Sequence, residues 1–501
     1  MRRPGAIRSR YGHCRWTHVP PMNAAVSDTE HDAAQDCAIG DRATGDRAIG
    51  AAAMQADASG IETPDVLVIG GGPAGTTAAT LLARKGWRVT LLEKSQHPRF
   101  HIGESLLPMN LPILERLGVL EQVRAIGVHK PGADFPLDAT RYNSFYFRRA
   151  IDPKFEYSFQ VKREEFDQLL FEHARSNGVD AREQVKVESV EWDEAGHATV
   201  HASNAAGTHA FRPRYVVDAS GRDTFLGNRL KLKSKNDVHQ SAAIFSHFRG
   251  VHRQPGEDGG NITVQRFDHG WMWLIPLRDD VMSVGAVCFP EYLRTRRGES
   301  EAFLMRTLES EPQVWARMQG AERVAPVHVT GNYSYTCKRM TGPGWVMVGD
   351  AFAFIDPVFS SGVYLGMNSA EHAADVVDAT LRDPSREAAM QRAMEKRLRR
   401  GLKHFSWFIY RFTTPVMQHL FSHPRNIWQI EQAVISMLAG DVFDSPAVLK
   451  RLRAFRVIYG ITSIRMFPQA LKGWLLRRRQ VGTTLAADET LQPGASRQSA
   501  T

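Results

Sequence analysis

The 501-residue chain has only four cysteines, and none of them belongs to a CxxC pair. Cys14, Cys37, Cys288 and Cys337 are scattered, which argues against a disulfide framework or a zinc site and favours a reducing compartment, the cytoplasm. No run of 18 or more apolar residues occurs, so the sequence predicts no transmembrane helix. The N-terminal region also lacks the apolar stretch that a secretory signal requires.

The charge is unbalanced, with a formal net charge of +9. This excess suits acidic partners or anionic surfaces, but no nucleic-acid-binding motif accompanies it, so we expect no nucleic-acid partner. Residues 1–62 are rich in Ala, Gly, Asp and Arg, and residues 481–501 are similarly polar. We predict that both segments are disordered, with a later start at Met54 as an alternative reading of the first.

A nucleotide-binding pattern begins at residue 65. A β-branched strand over 65–70 is followed by a glycine-rich turn, a helical run over 76–85 and a second strand over 87–93 that ends in an acid. Strand, glycines, helix, strand and acid in this order form the dinucleotide-binding fingerprint. The glycines allow the tight turn, the approach of a pyrophosphate and helix packing, while the acid suits the ribose. The predicted contacts are Gly70, Gly72, Ala74, Gly75, Glu93 and Lys94.

A second informative stretch covers residues 345–362, where a buried strand runs into Gly349 and Asp350. A carboxylate there can hold sugar-like hydroxyls, and this contact resembles the second FAD contact of glutathione-reductase-like flavoproteins. A turn at Pro357 then leads to a predicted helix start at Gly362. Unpaired N–H groups at a helix start suit a reduced flavin or a halide. The sequence therefore favours FAD, and it contains no second fingerprint for NAD(P)H.

Two further motifs resemble those of the flavin-dependent halogenases, within the FAD-dependent aromatic monooxygenase-like superfamily, and the likeness covers about residues 63–380. Residues 270–276 match the halogenase motif Trp-x-Trp-x-Ile-Pro, in which Trp271 and Trp273 would fill the space beside the flavin. A related pattern occurs in prenyl reductases, and alternating aromatics also fit a plain core strand. Residues 354–362 match Phe-x-x-Pro-x-x-Ser-x-Gly, which implies that Ser360, Ser361 and Gly362 hold chloride or bromide.

The resemblance also assigns roles to three single residues. Lys130 follows a strap over residues 100–105 and would meet hypohalous acid, either as an ammonium donor or as an amine that forms a haloamine. Arg163 opens an Arg-x-x-Phe-Asp pattern and would approach FAD, although a surface arginine remains an alternative. Phe359 stands where tryptophan halogenases carry a catalytic glutamate. This difference favours a phenol, pyrrole or other aryl substrate, free or tethered to an acyl carrier protein, and leaves the general base unassigned.

The implied fold is α/β: a glutathione-reductase-like FAD-binding Rossmann domain over 63–385 with an inserted antiparallel substrate sheet at about 100–160 and 235–330. A helical region over 386–480 would follow. Its basic, aromatic helices are read as a cap over the site, or alternatively as a docking face for an acidic carrier protein or for anionic lipid.

The implied function is that of a halogenase that receives FADH2 from a flavin reductase and makes hypohalous acid from oxygen and halide. Two alternatives share the same fold. One is an FAD-dependent aromatic hydroxylase or epoxidase, and the other is a prenyl-reductase-like oxidoreductase that transfers hydride to an alkene.

Overall fold

The computed structural model describes residues 60–138, 141–422 and 426–481. Most of each segment predicted to be disordered lies outside the described residues. Both predicted boundaries need correction, however. Glu62 forms a β-bridge with Phe211 and an ion pair with Arg182, so ordered structure begins before residue 63. Val481 is the last residue of a helix, so the helical region extends one residue beyond its predicted end at residue 480.

Twenty strands occur in the described residues. They are β1 Val66–Ile69, β2 Val89–Leu92, β3 Val128–Lys130, β4 Gly132–Pro136, β5 Tyr142–Tyr146, β6 Ser158–Gln160, β7 Asp180–Arg182, β8 Lys186–Trp192, β9 Ala198–Asn204, β10 Gly207–Phe211, β11 Tyr215–Asp218, β12 Lys233–Arg249, β13 Ile262–Phe267, β14 Gly270–Pro276, β15 Val281–Cys288, β16 Glu322–Arg323, β17 His328–Cys337, β18 Thr341–Gly342, β19 Trp345–Met347 and β20 Ala353–Phe354.

The same residues contain fourteen α-helices, several of them begun by proline at the first turn, where no N–H is needed. They are α1 Pro73–Arg84, α2 Leu111–Leu117, α3 Leu120–Ile126, α4 Arg163–Ser176, α5 Phe225–Arg229, α6 Pro290–Leu293, α7 Ser300–Glu309, α8 Pro312–Arg317, α9 Gly362–Arg382, α10 Glu387–Ile409, α11 Pro415–Ser422, α12 Ile430–Leu438, α13 Pro446–Arg465 and α14 Phe467–Val481. None of these helices is both long and apolar enough to cross a bilayer.

The first sheet has six strands in the order β18-β19-β11-β1-β2-β7. All its pairings are parallel except that of the edge strand β18. β1 and β2 are buried at every position, as expected for strands of a parallel sheet that is covered on both faces. α1 packs against α9 beside this sheet. The carboxyl ends of β1, β11 and β19 therefore meet at one edge, where open α/β sheets bind ligands.

The second large sheet follows the order β20-β17-β12-β15-β14-β13-β4-β5, with β16 paired to β12. Its pairings are antiparallel except the one between β13 and β4. Alternate residues of β14 point to opposite faces. Trp271 and Trp273 belong to the main core, whereas Met272 and Leu274 belong to a smaller core that includes residues of α7 and α8. One face of β14 therefore packs in the main core, and its other face packs in the smaller core.

The C-terminal region is helical from α10 to α14. Its first helix, α10, is charged through its middle and continues through an aromatic end to Ile409. Phe405 and Phe408 are fully buried there, and Phe412 and Phe421 extend the same aromatic layer toward the second sheet, where Phe421 meets Phe145 edge to face. The same layer also packs on the segment before α9, where Phe412 meets Phe359.

Candidate functional site

A cavity of about 620 Å³ lies at the carboxyl end of the first sheet and is lined by residues of both large sheets. It extends from the glycine-rich turn and Glu93 past the strap at residues 100–105 to Trp271, Trp273 and Gly362. The two sequence motifs that were assigned to FAD and to halide therefore face one continuous space.

The glycine-rich turn forms the floor of one end of the cavity. Gly70 has φ +103°, and a Cβ there would lie 2.4 Å from the carbonyl oxygen of Ala219. A Cβ on Gly75 would lie 1.9 Å from the carbonyl oxygen of Gly70, so helix α1 packs on β1 only because Gly75 has no side chain. At Gly72 the nearest atom to such a Cβ is Arg99 Nη2, 3.7 Å away. The space over Gly72 is open and fits a pyrophosphate.

Glu93 is buried and lines the cavity, but its carboxylate also holds the turn. Oε2 accepts a hydrogen bond from the backbone N–H of Gly71 at 2.7 Å, and Oε1 accepts one from that of Ser95 at 2.9 Å. A carboxylate has about four acceptor sites, so ribose hydroxyls can still bind. Lys94 is about half exposed and forms an ion pair with Asp223 at the rim.

Asp350 faces the cavity from the turn after β19. Burial raises the pKa of this carboxyl to about 6, against the smaller opposing effects of Arg222 and Arg163. Its carbonyl oxygen accepts the hydroxyl of Tyr335 at 2.7 Å, whereas its carboxylate has no hydrogen-bond partner among the described residues. A buried carboxylate without donors is costly, so its position fits a polyhydroxyl chain such as the ribityl group of FAD.

Arg163 lines the cavity from the first turn of α4 and is 5% exposed. It forms a bidentate pair with Asp167, with N–O distances of 2.8 and 3.0 Å. Its Nη1 donates to the carbonyl of Ile102 at 2.7 Å. The guanidinium therefore ties the strap to α4, and the alternative of a surface arginine is wrong.

Trp271 and Trp273 project from the same face of β14 into the cavity, with ring centroids 5.7 Å apart. The indole N–H of Trp271 donates to Asp356 Oδ1 at 3.1 Å, and that of Trp273 donates to Ser283 Oγ at 3.1 Å. Both rings are fixed by these bonds and by packing. The aromatic strand is thus a core element and a cavity wall at once.

Residues 360–362 lie at the N-terminus of the 21-residue helix α9, and Ser360 and Gly362 line the cavity. Ser361 is 1% exposed, and its hydroxyl has no hydrogen-bond partner among the described residues. A Cβ on Gly362 would meet no atom within 4 Å. An open helix N-terminus beside an unpartnered buried hydroxyl fits a small anion.

Lys130 is the last residue of β3 and is 1% exposed. Its Nζ donates to Ser105 Oγ at 2.8 Å and to the carbonyl of Leu106 at 2.9 Å, and lies 5.4 Å from the centre of the Phe147 ring. Burial lowers the pKa of Lys130 to about 7. Ser105 itself lines the cavity, so the ammonium stands one hydroxyl group behind the cavity wall.

The motif analysis missed a second buried pair at the cavity. Glu104 lines it, and Glu104 Oε1 lies 2.7 Å from Nε2 of His247 on β12. Burial lowers the pKa of His247, but the hydrogen bond and charge of Glu104 outweigh burial and raise it overall. No short motif could have joined two residues that are 143 positions apart.

A glycine cradle, an unpartnered carboxylate and a helix N-terminus around one elongated cavity define an FAD-binding flavoprotein. Residues 63–407 match a family model described as an FAD binding domain. The chain is 30% identical over 453 residues to the 1H-pyrrole-2-carbonyl-[peptidyl-carrier protein] chlorinase of Pseudomonas fluorescens, covering 84% of this chain and 98% of that protein. The chain belongs to the flavin-dependent halogenases, as the sequence motifs predicted.

Another relative is the tryptophan 2-halogenase of Chondromyces crocatus, 38% identical over 325 residues. The match covers 63% of this chain and 61% of that protein, so this chain spans about three fifths of that relative. The names of these two relatives state different substrates, tryptophan for one and a carrier-bound pyrrole for the other.

Solved structures agree with this family. A flavoprotein/dehydrogenase from Cytophaga hutchinsonii matches with a TM-score of 0.73 at 26% identity, over 81% of this chain and 100% of that one. The flavin-dependent brominase Bmp2 matches with a TM-score of 0.70 at 27% identity, over 79% of this chain and 99% of that one. The protein is thus a flavin-dependent oxidoreductase that uses FAD, and its family uses halide.

Proposed function

We propose that the protein is an FADH2-dependent halogenase that makes hypohalous acid from oxygen and halide and halogenates an electron-rich aryl substrate. The observation that carries this proposal is the buried Lys130, whose Nζ bonds Ser105 on the wall of the FAD cavity at 2.8 Å. A lysine that the fold desolvates beside a flavin site is costly to keep without a chemical use.

The residues of the cavity would hold the cofactor in a fixed order. The turn at Gly70, Gly72 and Gly75 with Ala74 would hold the pyrophosphate, Glu93 and Lys94 the adenosine end, and Asp350 the ribityl chain. Bound FADH2 supplies two electrons to oxygen, which with halide and a proton yields hypohalous acid, oxidised FAD and water. Ser360, Ser361 and Gly362 would keep the halide at the start of α9, where backbone dipoles offset its charge, and the turn at Pro357 would contact the flavin.

Lys130 would direct the oxidant to the substrate. Because burial brings the pKa of Lys130 to about 7, both the ammonium and the amine are present near neutral pH. The ammonium would polarise hypohalous acid by hydrogen bonding, whereas the amine would be converted to a haloamine. Ser105 and Leu106 hold Nζ in one place for either role.

Trp271 and Trp273 would keep the aryl substrate away from the flavin. Both rings occupy the cavity wall, and their N–H groups are already bonded to Asp356 and Ser283. A substrate ring that cannot stack on the flavin would meet the oxidant only beyond this wall, near Lys130. This arrangement favours halogenation over direct hydroxylation.

For the substrate we propose a phenol or a pyrrole, free or tethered to a carrier protein. Phe359 is buried against Phe412, with ring centroids 5.4 Å apart, so the position that resembles the glutamate of tryptophan halogenases carries no base. A phenol needs less of a base because its own hydroxyl activates the ring. The chlorinase relative supports a tethered pyrrole. Tryptophan is the second candidate, because a tryptophan 2-halogenase is 38% identical.

We further propose that a separate flavin reductase supplies FADH2, since the sequence has one dinucleotide fingerprint. The free, buried Cys288 and Cys337 support action in a reducing compartment, the cytoplasm. In this proposal residues 63–385 carry the FAD and substrate sheets, and residues 386–480 close the site.

The test supplies purified protein with FAD, a flavin reductase, NADH, oxygen and either chloride or bromide. An activated phenol, a pyrrole on a carrier protein, free tryptophan and a prenyl alkene serve as acceptors, and products are identified by mass spectrometry. We expect a mass shift of one halogen on a phenol or pyrrole. Hydroxylated product without halogenated product would show that the protein is a monooxygenase instead. Reduction of the alkene without halogenated product would show that it is a prenyl reductase.

The Lys130→Met variant separates the role of the amine from that of the fold. We expect it to bind FAD and to oxidise FADH2 as the parent protein does, while halogenation of the acceptor falls at least a hundredfold. The control is Lys472→Met, which removes an exposed lysine of α14 and should leave halogenation unchanged. Retained halogenation in Lys130→Met would exclude the proposed role.

A further inference from the structure

The last two helices expose an apolar surface, here called the C-terminal face. Its members are large apolar side chains that are between 42% and 77% exposed. They are Val457, Ile461, Ile464, Phe467, Leu471, Trp474, Leu475 and Leu476. In α13 the first three are spaced by four and three residues, and in α14 Phe467, Leu471 and Trp474 repeat that spacing, so each set follows one side of its helix. Exposure of so many large apolar groups together marks an interaction surface.

The charge around this face has one sign. Residues 446–481 contain nine lysines and arginines and no aspartate or glutamate. Lys450, Arg453, Arg465, Lys472 and Arg478 are exposed. Arg478 lies over the ring of Trp474, with its Cζ 5.2 Å from the ring centre, so the cationic and apolar groups share one side of α14. A helix with this composition fits an interface between anionic headgroups and acyl chains.

The opposite side of α14 is fixed to the protein. Arg477 Nη1 donates to the carbonyl of Tyr410 at 2.6 Å, and Gln480 Nε2 donates to that of Asp268 at 3.2 Å. At the start of α13, Arg451 Nε donates to the carbonyl of Trp428 at 2.9 Å. Trp428 is 76% exposed, so a second exposed tryptophan lies near the start of α13. The apolar side chains are therefore held outward by an anchored helix pair.

We propose that the C-terminal face binds the surface of a membrane that contains anionic lipid. The helices lie in the interfacial plane, with Trp474 and Phe467 at the headgroup level and the exposed lysines and arginines against lipid phosphates. Tryptophan prefers this level because its ring is apolar and its N–H is polar. The basic residues commit the face to an anionic partner, and the exposed Phe467 and Trp474 beside them favour a bilayer, because basic helices with aromatic side chains are typical of membrane interfaces.

The test is flotation of the full-length, FAD-loaded protein with vesicles of phosphatidylcholine alone or of phosphatidylcholine with 30% phosphatidylglycerol. We expect binding to the anionic vesicles and at least tenfold weaker binding to the neutral ones. Lys472→Glu/Arg478→Glu should weaken binding at least twentyfold, since each basic residue at such a surface contributes about fivefold. Phe467→Ser/Trp474→Ser should also abolish flotation.

The matched control reverses two exposed arginines on α2 and α3, Arg116→Glu/Arg124→Glu, and should float like the parent protein. Unchanged melting temperature and FAD content show that each variant is folded. Absence of flotation by the parent protein, or equal flotation of all variants, would overturn the proposal. A concentration-dependent dimer that Phe467→Ser/Trp474→Ser abolishes, without vesicle binding, would assign the face to self-association instead. Capture of an acidic carrier protein without vesicle binding would also overturn it.

Discussion

The buried amine of Lys130 makes stability depend on pH in a defined window. Burial lowers the pKa of Lys130 from 10.5 to about 7 in the folded protein. The unfolded chain has the ordinary lysine pKa, so between pH 7 and 10.5 the unfolded state binds a proton that the folded state does not. The free energy of unfolding therefore rises with pH through that window. Below pH 7 the folded protein carries the full cost of burying a charged ammonium.

The magnitude follows from the same two values. Each pH unit within the window corresponds to about 1.4 kcal/mol, so the full difference is about 5 kcal/mol. The hydrogen bonds to Ser105 and Leu106 and the nearby Phe147 ring favour the ammonium, so they act against burial and make about 5 kcal/mol an upper value. Between pH 7.5 and 9.5 the wild-type protein should gain about 2–3 kcal/mol relative to a variant without the amine.

The assay compares urea unfolding of the wild-type protein and Lys130→Met at pH 7.5, 8.5 and 9.5 with saturating FAD. Methionine has a similar length and no charge, so the pH dependence of other groups cancels in the difference. Lys472→Met, at an exposed position of α14, is the control and should follow the wild-type curve. A difference between wild type and Lys130→Met that stays constant with pH would refute a buried, weakly basic amine at residue 130.

Three further predictions concern the cavity. Gly72→Val should weaken FAD binding at least tenfold with little change in melting temperature. Gly75→Ala should lower both the FAD affinity and the melting temperature, because a Cβ there lies 1.9 Å from the Gly70 carbonyl oxygen. FAD fluorescence titration measures the affinity of both variants, and thermal unfolding measures their melting temperatures. Ser361→Ala should raise the KM for halide severalfold without lowering the free energy of unfolding, because its hydroxyl has no partner among the described residues. Ser369→Ala, which removes the acceptor of the Gly349 N–H, should lower the free energy of unfolding by about 1 kcal/mol and leave the KM for halide unchanged. The same change in KM for halide in both variants would contradict the halide role of Ser361. Trp271→Phe removes one of the donors to Asp356 Oδ1, which also accepts the Val358 N–H, and should cost about 1 kcal/mol in denaturant unfolding, more than Trp474→Phe on the exposed face of α14.

Local patterns predicted the nucleotide-binding part well because each of its contacts is set within a short segment. The strands around Gly70 and the helix that starts at Gly362 were both expected from turn chemistry and apolar runs, and β1, α1, β2 and α9 follow them closely. The helix boundaries were less exact. Proline at the first turn lets α1 begin at Pro73, three residues before the predicted start.

The cofactor and the family follow from the sequence, since the glycine spacing, Asp350 and the two tryptophans are local signals whose chemistry needs no knowledge of distant residues. Tertiary structure alone decided that Lys130 is buried, because its neighbours Ser105, Leu106 and Phe147 come from other segments. It also decided the pairing of Glu104 with His247 and the packing of Phe359 against Phe412. These contacts join residues that are far apart in the sequence, so short sequence motifs do not predict them.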